Sequence, residues 1–142
     1  MIIEKVTSSD IAEIAELERK YIYHPYSVAV IEGMLSNPSC LALKVSENGL
    51  VAAYVSGELV IDEFNINNVV VDKQFRRKGY AEALMREIIS RCQAANAKKI
   101  YLEVASDNEP AKNLYYKLGF SLVYERKRYY GEQSALVLIK SM

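Results

Sequence analysis

The sequence predicts a single α/β domain: a mixed sheet of about seven strands, antiparallel at first, with helices on both faces. Three observations predict it. Strand-like and helix-like segments follow in the order strand, two helices, three strands, helix, strand, helix, two strands. The segments 40–46, 50–60 and 63–71 are separated by turns of hairpin length, which suits an antiparallel meander. Residues 63–105 read as strand–helix–strand, which calls for a parallel, right-handed crossover. A length of 142 residues suits one domain with a real core.

Each element has its own signal. Residues 2–6 (IIEKV) read as a strand, and Ser8 or Ser9 in the following Thr-Ser-Ser-Asp is placed to cap a helix. Ile11, Ile14, Ala15 and Leu17 give that helix an apolar stripe. His24-Pro25 breaks it, and a short helix over 27–35 ends at Asn37-Pro38. Strands follow at 40–46, 50–60 and 63–71, the first two joined by a turn at Glu47-Asn48-Gly49. A long helix to about Ala95 carries Ala81, Leu84, Met85, Ile88, Ile89 and Cys92 on one face, the face that packs on the sheet. Residues 98–105 form a strand. Asp107, Asn108 and Pro110 open a helix that Gly119 closes. Two last strands turn around Gly131.

Bulk composition narrows the function classes. Half of the residues are apolar and a quarter charged, as in ordinary globular proteins rather than disordered ones. Net charge is zero, so attraction to nucleic acid or membrane would have to be local. No apolar run approaches ~20 residues, so no membrane span is expected. The start, MIIEKVTSSD, does not read as a secretory signal. Cys40 and Cys92 lie among apolar residues and are read as reduced, buried thiols of a cytoplasmic protein. His24 is the only histidine, which argues against a His-based metal site or a Ser-His-Asp triad, and no metal is expected. Eleven tyrosines suggest that some serve as proton donors.

The segment FRRKGYAEAL (75–84) sets Arg76, Arg77 and Lys78 before Gly79 and the start of the long helix. Free N–H groups and the positive end of the helix dipole point there. Gly79 permits close approach of a ligand, and the small Ala81 keeps the next turn open. A strand end, a glycine turn and a helix start together make an anion site, most simply for a pyrophosphate. A solvated basic turn explains the same residues. The spacing is neither the Walker pattern nor G-x-G-x-x-G.

Arg76-x-x-Gly79-x-Ala81, after NNVVVDKQF and before an amphipathic helix, resembles the acetyl-CoA-binding motif of the GNAT N-acetyltransferase superfamily. The segment YLEVASDNEPAKNLYYKLGF (101–120) resembles that superfamily's second strand–helix unit. Leu102-Glu103-Val104, Asn108, Tyr115 and Arg128-Tyr129-Tyr130-Gly131 look most like the bacterial ribosomal-protein-alanine N-acetyltransferases of the RimI type. The resemblance implies a GNAT-type fold and acetyl-CoA as acetyl donor. It implies that Val69, Val70 and Val71 offer backbone groups to the pantetheine arm, in a sheet opened beside their strand. Arg77, Lys78, Gly79, Tyr80, Ala81 and Glu82 would wrap the pyrophosphate, mainly with backbone N–H groups. Asn108 would bond the pantetheine or thioester end, Glu103 would be the general base and Tyr115 the general acid. The implied acceptor is the N-terminal alanine of a small ribosomal subunit protein. Two departures are visible. Lys73 replaces a common proline, and Tyr26 stands where relatives often have tryptophan on the acceptor side.

Acyl transfer from a thioester to an amine needs a base, a stabilised oxyanion and a departing thiolate, with the reactants held together. It needs no covalent enzyme intermediate, so the lack of an obvious nucleophile suits direct transfer. Glu103 shares a strand face with Tyr101 and Ala105. It reads either as a base, direct or through water, or as a salt-bridged structural carboxylate. Tyr115 reads as a donor to the thiolate, with a phenol pKa of ~10 to match it, or as a packed core tyrosine. Tyr116 faces about a hundred degrees away and cannot share that role. Asn108 also suits a helix N-cap. Tyr129 and Tyr130 should point to opposite faces of a strand, and His24 receives no role. The basic residues from Lys73 to Lys99 suggest a positive cofactor end, and Glu58, Asp62, Glu63, Asp107 and Glu109 a more acidic acceptor side. A terminal amine, pKa ~8, loses its proton more readily than lysine at ~10.4, which favours an α-amine. The alternatives are acetylation of lysine side chains or small amines, a non-catalytic acyl-CoA-binding module, and a nucleotide-binding regulatory domain.

Overall fold

A computed structural model describes residues 1–142. In chain order the elements are β1 (Ile3–Lys5), α1 (Ile11–Tyr21), α2 (Val28–Ser36), β2 (Cys40–Glu47), β3 (Leu50–Val60), β4 (Glu63–Val71), α3 (Tyr80–Ala94), β5 (Lys99–Ala105), α4 (Glu109–Lys117), β6 (Ser121–Tyr130) and β7 (Gln133–Ser141). The seven strands form one sheet in the order β1-β2-β3-β4-β5-β7-β6. β4 and β5 pair parallel, and every other neighbouring pair is antiparallel. The predicted meander and crossover are both present. No helix is long and apolar enough to cross a membrane.

Helices cover both faces because β3 sends side chains to both, its alternation reset at Ala52 where the pairing with β2 is bulged. Ala53 and Val55 point into the core under α3 and α4, with Leu84, Met85, Ile88, Ile100 and Leu138. Val51 and Tyr54 point into the core under α1 and α2, with Ile14, Leu17 and Ile31. Leu84, Met85 and Ile88 are fully buried, each contributing about 1.5–3 kcal/mol of apolar transfer. The α3 stripe read from the sequence is therefore the face that holds this helix to the sheet.

The first helix begins differently from expectation. Neither Ser8 nor Ser9 caps it. A 3-10 turn over Ser8–Asp10 precedes α1, and Thr7 stands at its N-terminal boundary. The Asp10 carboxylate accepts from the Thr7 N–H at 2.8 Å and from Lys44 Nζ at 2.7 Å, which ties the start of the helix to β2. Ser27 does cap α2, its Oγ accepting from the Val30 N–H at 3.2 Å. Of the two cysteines, Cys92 is buried and Cys40 only half-buried, and both are free thiols. Burial pushes the Cys92 thiol up to about 11.

Candidate active site

The parallel pair β4–β5 holds only where Glu63–Asn65 faces Lys99–Tyr101. Beyond that point β4 runs on to Val71 and β5 to Ala105 without pairing to each other. The cause lies where β4 pairs with β3. Its register against β4 shifts between Ser56 and Gly57, where Gly57 faces Ile66 and Ser56 faces Asn68. Asn67 is the extra residue of this bulge, which bends and twists β4 away from its neighbour. Gly57 makes it possible. A Cβ there would lie 2.5 Å from the Phe64 ring and 2.8 Å from the Asn65 carbonyl oxygen.

The splayed strands open a cleft of about 490 Å³. Asn65 to Val69 line one wall and Tyr101 to Ala105 the other, with Asn108 and Tyr115 at the α4 side. Glu103, Tyr115, Asn108 and Val69, all named from the sequence, line this one cleft. Val70 does not. It is buried in the opposite core, under α1 and α2, so only its backbone is available on this edge. The Val71 carbonyl is already used, accepting from Arg76 Nε at 3.2 Å.

Glu103 is held by two donors. Tyr101 OH donates to its Oε1 at 2.8 Å, and Arg126 Nη2 lies 3.2 Å from the same oxygen. The expected shared face with Tyr101 is therefore real, and the carboxylate carries an ion pair as well. Tyr115 is 6% exposed. Burial, with Tyr130 nearby, pushes its phenol well above the usual tyrosine value. This removes the simple match between a phenol near 10 and a thiolate, and leaves Tyr115 a strictly neutral donor. Asn108 Oδ1 accepts from the Ala111 N–H at 3.3 Å, so it is a helix cap that also lines the cleft.

The anion turn is built mainly from backbone. Arg77 and Gly79 both have positive φ, 65° and 80°. Left-handed Gly79 followed by helical Tyr80 turns successive N–H groups toward one point. A Cβ on Gly79 would meet nothing within 4 Å, so the space in front of the helix start is open. The side chains are more committed than expected. Lys78 Nζ pairs with Glu47 at 2.6 Å, and Tyr80 OH donates to the same carboxylate. Glu82 pairs with Arg86 and Lys117, each at 2.9 Å. Arg77 is exposed.

The expected single basic end is not found. α3 has 15 residues, roughly 22 Å at 1.5 Å per residue, and it separates Arg76–Lys78 from Lys98 and Lys99. Arg91 pairs with Glu87, and Lys98 lies 3.8 Å from Asp62. Positive charge that is contiguous in sequence is split in space, and Lys78, Arg86, Arg91 and Lys98 are ion-paired.

Sequence reasoning put Tyr26 on the acceptor side but missed Tyr23 and His24 in the roof of the cleft. Tyr23, His24 and Tyr26, from the loop between α1 and α2, line it together with Tyr129 and Tyr130. His24 packs edge-on against Tyr23 at 4.7 Å and Tyr129 at 5.4 Å between ring centroids. Tyr129 and Tyr130 were expected on opposite faces. Their rings instead lie 5.0 Å apart. Arg128 has a φ of 55° and the β6–β7 register is broken between Arg126 and Tyr130, which destroys the alternation.

A model of the acetyltransferase (GNAT) family matches residues 9–120. The chain belongs to the acetyltransferase (GNAT) family. It is an enzyme class that moves acetyl groups, and its acetyl donor is acetyl-CoA. The chain is 31% identical over 130 residues to the [ribosomal protein bS18]-alanine N-acetyltransferase of Haemophilus ducreyi, covering 90% of this chain and 88% of that protein. The Ard1 structure from Thermoplasma volcanium superposes with a TM-score of 0.87 at 26% identity, covering 99% of this chain and 97% of that one. The Escherichia coli ribosomal-protein-S18-alanine N-acetyltransferase shares the fold, with a TM-score of 0.88 at 24% identity over 99% of this chain and 92% of that one.

Proposed function

We propose that this GNAT chain transfers the acetyl group of acetyl-CoA to the N-terminal α-amine of a protein, the alanine of a small ribosomal subunit protein, by direct transfer. The observation that supports the mechanism is that Glu103 and Tyr115 line the same cleft between β4 and β5. The acceptor is suggested by the named activity of the Haemophilus relative.

The backbone N–H groups of Gly79, Tyr80, Ala81 and Glu82 bind the pyrophosphate, with Arg77 free to add charge. The β4 edge at Val69 to Val71 orients the pantetheine, and Asn108 bonds it with its amide Nδ2 while its Oδ1 caps α4. The thioester supplies the activated acetyl carbon. The acceptor nitrogen forms a bond to that carbon as the carbon–sulfur bond breaks. Glu103 takes the proton lost by the amine, directly or through water, and Tyr115 donates to the departing sulfur. Burial keeps the Tyr115 OH protonated, so a proton is present beside the sulfur, held by a weaker acid than an ordinary phenol.

The test is mass spectrometry of two alanine-initiated peptides, each with an internal lysine and one with a blocked N-terminus, incubated with the chain and acetyl-CoA. Acetyl found only on the free N-terminal alanine is expected. Lysine acetylation in both peptides would replace the proposed acceptor with a side-chain amine. No modification despite bound acetyl-CoA would leave a small-amine enzyme or a sensor.

A further inference from the structure

Glu18 is the one carboxylate of the chain with no exposed surface at all. It lies on α1, outside the cleft lining, and has no salt-bridge partner. A buried carboxylate without a cation is expensive unless donors surround it. Three donated contacts do so. Asn68 Nδ2 lies 2.9 Å from Oε1 and 2.7 Å from Oε2, and the Tyr26 N–H donates to Oε1 at 3.0 Å. The Glu18 backbone carbonyl also accepts from the Ile22 N–H at 2.9 Å.

One residue therefore fastens both ends of the loop from Ile22 to Tyr26. It fastens that loop to Asn68, which follows the bulged Asn67 on β4. Ile22, Tyr23, His24, Tyr26 and Asn68 all line the cleft. The loop forms its roof and Asn68 belongs to its wall.

We infer that Glu18 is a positioning residue for the acceptor: its buried carboxylate sets the loop over the cleft against the bulged strand, and so fixes the acceptor's seat. It acts through hydrogen bonds accepted from Tyr26 and Asn68, not through proton transfer. This rests on the acetyl-transfer reading above. Glu18→Leu keeps the volume apolar and leaves both donors unpaired. Glu18→Gln keeps an acceptor for Tyr26, and a turned Asn68 amide can accept from the new Nε2.

The experiment measures acceptor and acetyl-CoA KM separately for Glu18→Leu and Glu18→Gln, with the unaltered enzyme's turnover of the peptide as the control for the acetyl-transfer reading. Glu18→Leu should raise acceptor KM by about tenfold or more, as expected for unpaired buried donors, with acetyl-CoA KM within about twofold. Glu18→Gln should recover most of that loss. Unchanged acceptor KM in folded Glu18→Leu would overturn the inference, as would a Gln variant as impaired as the Leu variant. Hydrogen exchange at the Tyr26 amide of the unaltered chain needs neither turnover nor a folded variant. Strong protection is expected, and exchange at the rate of an open loop would overturn the anchor even if the peptide is acetylated normally.

Discussion

Arg126 on β6 holds Glu103 on β5, its Nη2 3.2 Å from Oε1, although β7 lies between the two strands in the sheet. Arg126 also sits over the Tyr129 ring, 5.4 Å from its centroid. The proposed base and the aromatic roof are thus linked by one guanidinium. The Arg126 side chain is 45% exposed and that of Glu103 17%. Water screens such a pair, so it is weak.

A cationic acceptor meets Glu103 with its charge already matched by Arg126. Arg126→Gln should therefore lower acceptor KM by about threefold at low salt, the size expected of a screened pair. The gain should shrink at high salt. Steady-state kinetics at the two salt levels checks this. A KM that rises in both would show that Arg126 supports acceptor binding rather than competing with it.

Tyr115→Phe removes one hydroxyl and keeps the ring that packs 5.9 Å from Phe120. Loss of a positioned proton donor should lower kcat by about a hundredfold or more. Acetyl-CoA affinity, measured by titration, should stay within about twofold. Equal turnover in the variant would remove Tyr115 from the mechanism.

Gly79→Ala tests the anion turn. A Cβ there meets no protein atom within 4 Å, but the φ of 80° disfavours alanine. The strain costs about 1–2 kcal/mol, and the methyl group enters the space proposed for the pyrophosphate. The KM for acetyl-CoA should rise by about tenfold or more, the loss expected when a positioned anion contact is displaced. The KM for acetyl-pantetheine, which lacks the pyrophosphate, should change far less. Equal effects on both donors would place the pyrophosphate elsewhere.

Gly79 and the strand face of Glu103 were legible in the sequence because their signals are local, whereas the roles of Glu103 and Tyr115 came from the resemblance to a family. The α3 stripe, the glycine before it and the alternation on β5 each follow from spacing a few residues long. What sequence could not supply was set by irregularity and by distance. The bulge that frees β4 depends on Gly57 approaching the Phe64 ring, and GEL gives no sign of it. The Tyr129–Tyr130 pair shares a cleft only because Arg128 adopts a positive φ. Arg126 and Glu103 are 23 residues apart and meet across an intervening strand. Glu18 carries no signal of its own in the sequence, since it stands next to Arg19 and Lys20 on an amphipathic helix.

The burial of Glu18 has a consequence for stability that is separate from its hydrogen bonds. Burial raises its pKa above the ordinary 4.5, against the lowering from the Tyr26 N–H and Asn68. A folded value above the unfolded one means that the native state binds the proton more tightly. Its contribution to stability is fully present below pH 4.5 and is lost as pH rises through the folded value. Asp10 has the opposite sign: burial raises its pKa, but Lys44 and Thr7 lower it further, so its contribution falls away only below its ordinary 3.8. The two windows do not overlap. Glu18→Gln removes the first titration and leaves the second. Unfolding free energies from denaturant titration should therefore shift in favour of the Gln variant as pH rises above 4.5, by about 1.4 kcal/mol for each unit of raised pKa. A difference between the two proteins that is flat over that range would mean that Glu18 is solvated in the folded chain.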